Sequence, residues 1–299
     1  MSQTNELLHS AICAQISAAT GDTFEARSHA SVAGGCISKA VVLTGVGRRY
    51  FVKLNDASRM AMFAAEAEGL AEIARTQAVR VPMPICRGQH AGTAWLVLEH
   101  LKLGGCHGTS AERLGHALAR LHRVTAGQFG WPRDNTIGST PQINTPSNDW
   151  VAFYGQHRLG YQFALAARNG FNGTLQRKGE RLIENLAAFF DGYCPAPSLL
   201  HGDLWGGNHG CRADGEPVIF DPAVYYGDRE ADIAMTQLFG GFDARFLAAY
   251  RDAWPLDRGY DTRRALYNLY HVLNHVNLFG AGYAHQAGQM LDALLAEIR

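Results

Sequence analysis

The chain has 299 residues, 47% hydrophobic and 18% charged, with 27 basic and 27 acidic side chains in formal balance. That composition excludes a disordered chain, and zero net charge leaves no global field to recruit nucleic acid or an anionic membrane. No run of 18 apolar residues is present, and the polar start Met1-Ser2-Gln3-Thr4-Asn5-Glu6 has neither the basic nor the apolar region of a secretory signal. Six scattered cysteines (13, 36, 86, 106, 194 and 211) include no C-x-x-C pair and read as reduced thiols of a cytoplasmic protein.

In chain order, residues 5–20 read as an amphipathic helix. Residues 41–44 and 49–54 read as strands joined by Gly45-Val46-Gly47. Residues 59–78 carry Met62, Ala65, Gly69 and Ile73 at helical spacing. Val81-Pro82-Met83-Pro84 reads as an extended connector, because each proline pushes its predecessor out of the helical region. A strand follows at 94–99, and Gly104-Gly105 marks a break. The expected division is an N-terminal lobe over 1–103 and a C-terminal lobe over 104–299. Helices are expected at 111–123, 150–169 and 175–191 and from Ala231, Arg245, Thr262 and His285, with turns over 127–148. A strand-rich first third followed by a helix-rich remainder predicts an α+β, two-lobed architecture.

The chemistry concentrates in His201-Gly202-Asp203-Leu204-Trp205-Gly206-Gly207-Asn208 and in the Asp221 that ends Val218-Ile219-Phe220-Asp221. Phosphoryl transfer from ATP needs a carboxylate to orient the attacking hydroxyl, plus an amide oxygen and a second carboxylate to hold magnesium. Asp203, Asn208 and Asp221 have that order and spacing. Asp221-Pro222-Ala223 in place of D-F-G, and His-Gly-Asp in place of H-R-D, turn the reading from protein kinases toward small-molecule kinases. Upstream, Gly34-Gly35-Cys36-Ile37-Ser38 can turn backbone N–H groups toward phosphate oxygens, and Lys53 follows on the next strand. Its carboxylate partner is Glu66 or Glu68, which lie on different faces of one helix. Adenine is expected against the backbone of Glu99, His100 and Leu101. His201 reads as a structural brace and Asp232 as a helix N-cap that holds the catalytic loop. Trp205, Tyr225, Tyr226, Asp228 and Glu230 are candidate substrate-pocket residues. Cys36, beside anion-favouring amides, is a candidate redox site.

These segments, with the Tyr225-Tyr226-Gly227-Asp228-Arg229-Glu230-Ala231-Asp232 run and Leu273-Asn274-His275-Val276-Asn277-Leu278-Phe279-Gly280, resemble the fructosamine kinase (ketosamine-3-kinase) family over nearly the whole chain. The family lies within the aminoglycoside-phosphotransferase-like kinases. The resemblance implies a protein-kinase-like fold and Glu66 as the lysine's partner. It also implies transfer of phosphate from ATP, with Mg2+, to the 3-hydroxyl of ketosamines. Such acceptors are ribulosamine or fructosamine adducts of small amines or of protein lysines, and the unstable 3-phosphate then eliminates, which deglycates the amine. No nucleic acid or membrane partner is expected, and the chain is expected as a monomer or homodimer. Two alternatives stand beside it: a related kinase of an aminoglycoside, choline or amino-alcohol, and a non-catalytic, redox-sensitive nucleotide-binding protein.

Overall fold

The computed structural model describes residues 3–32 and 37–298. Helix α1 (Gln3–Thr20) opens the chain. Strands β1 (Ser28–Val32), β2 (Lys39–Thr44) and β3 (Arg49–Asp56) follow, then helix α2 (Met60–Arg75) and strands β4 (Pro84–His90) and β5 (Thr93–Glu99). The five strands form one antiparallel sheet in the order β1-β2-β3-β5-β4. β5 is the reason this region holds together, since Ala94 to Leu98 are all buried and serve both faces. Trp95 and Val97 join Val52 and Leu43 against Ile12 and Ile16 of α1. Ala94, Leu96 and Leu98 point the other way, into the large core that contains Phe63, Leu70 and Ile73 of α2.

After β6 (Leu103–Gly104) the chain becomes mainly helical, with α3 (Ser110–His122), the small hairpin β7 (Asn135–Ile137) and β8 (Thr140–Gln142), α4 (Trp150–Phe153), α5 (Tyr161–Arg168) and α6 (Thr174–Glu184). The expected helix over 150–169 is present, but Tyr154–Gly160 between α4 and α5 is wound as a π-helix. Strands β9 (Ser198–Leu200), β10 (His209–Arg212), β11 (Pro217–Ile219) and β12 (Tyr225–Gly227) bracket the motif-bearing loops. Helices α7 (Glu230–Leu238), α8 (Ala244–Ala253), α9 (Tyr260–Phe279) and α10 (Ala284–Glu297) complete the fold. α9 is central: Leu266, Leu269, Val272, Leu273 and Val276 are all buried, at the spacing of a core-facing helix. No helix among the described residues is long and apolar enough to cross a membrane.

One expectation is corrected here. Cys106 and Cys211 are joined by a disulfide, their Cα atoms 5.1 Å apart and 105 residues apart in sequence. The two cysteines meet because β6 pairs with β10, Gly104 opposite Cys211, a contact that spacing in the sequence cannot reveal. Cys13, Cys86 and Cys194 are free thiols. Closing so long a loop removes chain entropy from the unfolded state, an effect of up to about 4 to 5 kcal/mol in the chain-entropy model. Reduction, or Cys106→Ser, is therefore expected to lower the urea midpoint of unfolding; a midpoint unmoved by reductant would show that the bond contributes nothing to stability.

Candidate active site

Pairing of β9 with β12, Leu200 opposite Tyr225, brings the His201–Asn208 loop against the segment that follows Asp221. The Ala223 N–H donates to the His201 carbonyl at 2.8 Å. Gly202 has φ +82°, and a Cβ there would run into the Ala223 carbonyl, so only glycine suits the position. Beneath the loop, Asp232 accepts from the backbone N–H of His201 at 2.7 Å and of Gly202 at 2.8 Å, and lies 3.2 Å from His122 Nε2. Burial alone would raise this carboxyl, but the hydrogen bond from His122 and the Gly202 amide outweigh it and hold it below its usual value. Asp232 sits in the first turn of α7 and not at the cap; Asp228 Oδ1 takes the Glu230 N–H at that helix start.

His201 is fully buried, and its Nε2 lies 2.9 Å from the Phe220 carbonyl while Nδ1 accepts from the Asp203 N–H at 3.2 Å. The carbonyl can only accept, so the proton is on Nε2, and burial keeps the ring neutral by lowering its pKa. Asn208 Nδ2 donates to the Asp203 carbonyl at 2.8 Å and to its carboxylate at 3.1 Å. That leaves the Asn208 Oδ1 as an oxygen donor. Burial, then the charge of Asp221, push the Asp203 carboxyl well above its ordinary value against the pull of the Asn208 bond.

Asp221 adopts φ +58°, a left-handed conformation that Asp tolerates better than most residues but that still needs support. Support comes from a buried amide network on β7 and β8. Asn135 donates to the Val224 carbonyl at 2.7 Å, and Gln142 donates to the Ala223 carbonyl at 3.1 Å. Tyr270 donates to Gln142 Oε1 at 2.8 Å, and Asn144 donates to Asn135 Oδ1 at 2.9 Å. Arg158, fully buried in the π-helix, donates to Asn144 Oδ1 at 2.8 Å and lies 4.1 Å from the centre of the Tyr225 ring. Asn135, Gln142, Asn144 and Arg158 carry no sequence motif, and the sequence reading missed these four.

Lys53 Nζ lies 2.5 Å from Glu66 and 2.7 Å from Asp221. The lysine and Glu66 side chains are only 11% and 12% exposed, whereas Asp221 is 45% exposed. Burial pulls the Lys53 ammonium down, but Asp221 and Glu66 together outweigh it and hold it raised and charged. Glu66 shares a helix face with the buried Phe63 and Leu70, which aims it inward; Glu68 instead pairs with Arg133 at 2.8 Å.

The remaining expected residues divide by burial. Ile37 and Ser38 flank β2, and Asn55 donates to the Ile37 carbonyl at 3.0 Å and to Ser38 Oγ at 3.1 Å. Gly34, Gly35 and Cys36 lie outside the described residues. At the end of β5 the Glu99 N–H is taken by the Met83 carbonyl at 2.8 Å and its carboxylate pairs with Arg80, so that N–H is not free for adenine, and His100 and Leu101 follow directly in the chain. Trp205 is 40% exposed on the His201–Asn208 loop. Tyr225 is buried against Arg158, and Tyr226 donates to Glu72 at 2.8 Å. Asp228 and Glu230 have no exposure at all. Asp228 accepts from Tyr193 at 2.9 Å and from Tyr267, and Glu230 pairs with Arg263 at 2.8 Å, so both carboxylates are consumed inside the protein.

The fructosamine kinase family model matches residues 8–297. A Synechocystis protein named probable ketoamine kinase is 49% identical over 289 residues, 95% of this chain and 96% of its own length. The chloroplastic protein-ribulosamine 3-kinase of Arabidopsis thaliana is 45% identical over 90% of this chain and 83% of its own. Among solved structures, one from Haemophilus somnus, assigned as a fructosamine-3-kinase, aligns with TM-score 0.88 and 27% identity over 95% of this chain and 96% of that one. The gentamicin complex of aminoglycoside phosphotransferase APH(2")-IIa aligns with TM-score 0.62 at 14% identity over 100% of this chain and 97% of that one, a likeness of fold.

Proposed function

The chain belongs to the fructosamine kinase family, and from that membership we propose that it transfers the γ-phosphoryl group of ATP to the 3-hydroxyl of ketosamines, with deglycation of the amine as the outcome. It is a phosphotransferase with an alcohol acceptor. The observation that carries the reading is that three separate stretches of chain meet here: Asn208 donates to Asp203 at 3.1 Å, the Asn208 carbonyl accepts from the Phe220 N–H at 3.0 Å, and the adjoining Asp221 pairs with Lys53 at 2.7 Å.

In this reading Asp203 aligns the 3-hydroxyl and takes its proton as the oxygen attacks. Lys53, held by Glu66, faces the α- and β-phosphates, and Ile37-Ser38 lie beside the triphosphate. Asn208 Oδ1 and the half-exposed Asp221 carboxylate form an oxygen donor set suited to Mg2+, and Mg2+ bound there would neutralise phosphate charge. His201 and Asp232 brace the loop, and Asp228 and Glu230 brace α7 rather than touching the acceptor. Catalysis is then mainly alignment and charge stabilisation. Division of the chain at 103/104 belongs to the same reading; the boundary falls within β6, where Leu103 pairs with Arg212 of β10 across it, and the Cys106–Cys211 bond lies on the C-terminal side. The cysteines no longer argue for a cytoplasmic setting once Cys106 and Cys211 are joined, since disulfides persist in oxidising compartments.

ATP consumption with ribuloselysine, fructoselysine, erythruloselysine, kanamycin and choline tests the reading. Turnover on a ketoamine is the expected result. Activity on kanamycin or choline alone would keep the kinase and discard the ketosamine acceptor.

A further inference from the structure

We propose that an aromatic strip beside the catalytic loop, formed by Phe239, His275, Phe279 and Tyr283, receives the ammonium-bearing arm of the ketoamine acceptor. The inference rests on the function proposed above and adds the part of the site that recognises the amine.

The strip is continuous. The His275 ring lies 4.8 Å from Phe239, 5.3 Å from Phe279 and 4.9 Å from Tyr283, between ring centres. Phe239 is 39% exposed and Phe279 54%, in a protein that buries most of its large apolar side chains. One end of the strip is fixed to the catalytic loop. Directly after Phe239, Gly240 and Gly241 pack on Gly206 so closely that a Cβ on Gly206 would meet the Gly240 carbonyl at 3.0 Å, and one on Gly241 would meet Gly206 Cα at 2.6 Å. His209 Nε2 lies 3.3 Å from the Gly241 carbonyl. The other end is closed by Tyr283, whose ring centre lies 6.3 Å from that of Phe279. The strip therefore lies beside the loop that carries Asp203, joined to it through the Gly240–Gly241 contact with Gly206.

Its chemistry suits a cation. A ketoamine carries its nitrogen on C1, two carbons from the C3 whose hydroxyl is phosphorylated, and that secondary amine is protonated at neutral pH. A carboxylate placed there would add negative charge beside a triphosphate and the carboxylates of Asp203 and Asp221. Aromatic faces attract an ammonium without adding charge. His275 Nδ1 lies 2.8 Å from the His271 carbonyl and must donate to it, which leaves Nε2 as an acceptor for an ammonium N–H. Burial lowers the His275 pKa, so the ring stays neutral and does not repel the cation.

Steady-state kinetics with ribuloselysine and ATP test the strip in wild type, Phe279→Leu, Phe279→Tyr and the Phe239→Leu/Phe279→Leu double variant, with thermal melts to confirm folding. The double variant is expected to raise the KM for ribuloselysine about tenfold while kcat and the KM for ATP stay within about twofold. Phe279→Tyr, which keeps the ring face, should match wild type. An unchanged ribuloselysine KM in the leucine variants, or a loss that falls equally on kcat or on ATP, overturns the strip and leaves the kinase standing. A wild type inactive on every ketoamine overturns both readings.

Discussion

Asp203→Asn is expected to abolish turnover, lowering kcat by about 10^3-fold or more, while ADP binds within about twofold of wild type. The amide keeps the size of the carboxylate and can still accept the Asn208 Nδ2 bond, which lies at 3.1 Å in the wild type, so the loop should hold its shape. What is lost is the group proposed to take the hydroxyl's proton, a role worth about 10^2- to 10^4-fold in general-base catalysis. The same residue sets a pH dependence. As the proposed base Asp203 works only when ionised, and burial together with the Asp221 charge raises its pKa. The acid limb of kcat/KM, which reports the free enzyme, should therefore lie at higher pH than an ordinary carboxylate would place it, with activity falling as pH drops through that raised value. A coupled ADP-release assay gives both results. Substantial turnover in Asp203→Asn would remove Asp203 from the base's role.

Much of this site was legible in the sequence because phosphoryl transfer constrains residue types at short spacing. Asp203 and Asn208 are five residues apart on one loop, and Asp221 ends a short apolar run. The α+β class was equally legible from the periodicity of residues 49–54, 94–99 and 111–123. What could not be read is burial and long-range pairing. Asp228 and Glu230 look like pocket carboxylates in a motif, yet Tyr193, Tyr267 and Arg263 arrive from residues 30 or more away to consume them. Strand β4 was missed beyond Pro84, because Ile85-Cys86-Arg87-Gly88-Gln89-His90 shows no clean alternation; it is an edge strand held by β5. Gln142, Asn135 and Arg158 act through hydrogen bonds to backbone carbonyls, a role that leaves no pattern in one sequence. The Cys106–Cys211 bond depends on a strand pairing across 105 residues.

Lys53→Met carries the second large expected effect, and it separates catalysis from stability. Loss of the ammonium should lower kcat/KM for ATP by about 10^2- to 10^3-fold, the range found when one preorganised electrostatic group is removed. It should also destabilise the fold. Lys53 is the cation shared by Glu66, 12% exposed, and Asp221, 45% exposed; without it, Glu66 is a buried carboxylate with no counter-charge. Breaking a buried pair on one side costs about 3 to 5 kcal/mol, and the low end applies here because Asp221 still meets solvent. Adding Glu66→Gln removes the orphaned charge, so the double variant should regain most of the lost melting temperature and none of the lost activity. A magnesium titration supplies a third readout: with Lys53 gone, the Asp221 carboxylate is free of its competitor, and Mg2+ should raise the melting temperature of Lys53→Met more than that of wild type. If the single variant melts like wild type, the lysine's charge is not what holds Glu66 and Asp221 together. If the double variant recovers activity along with stability, Lys53 serves the fold and not the phosphates.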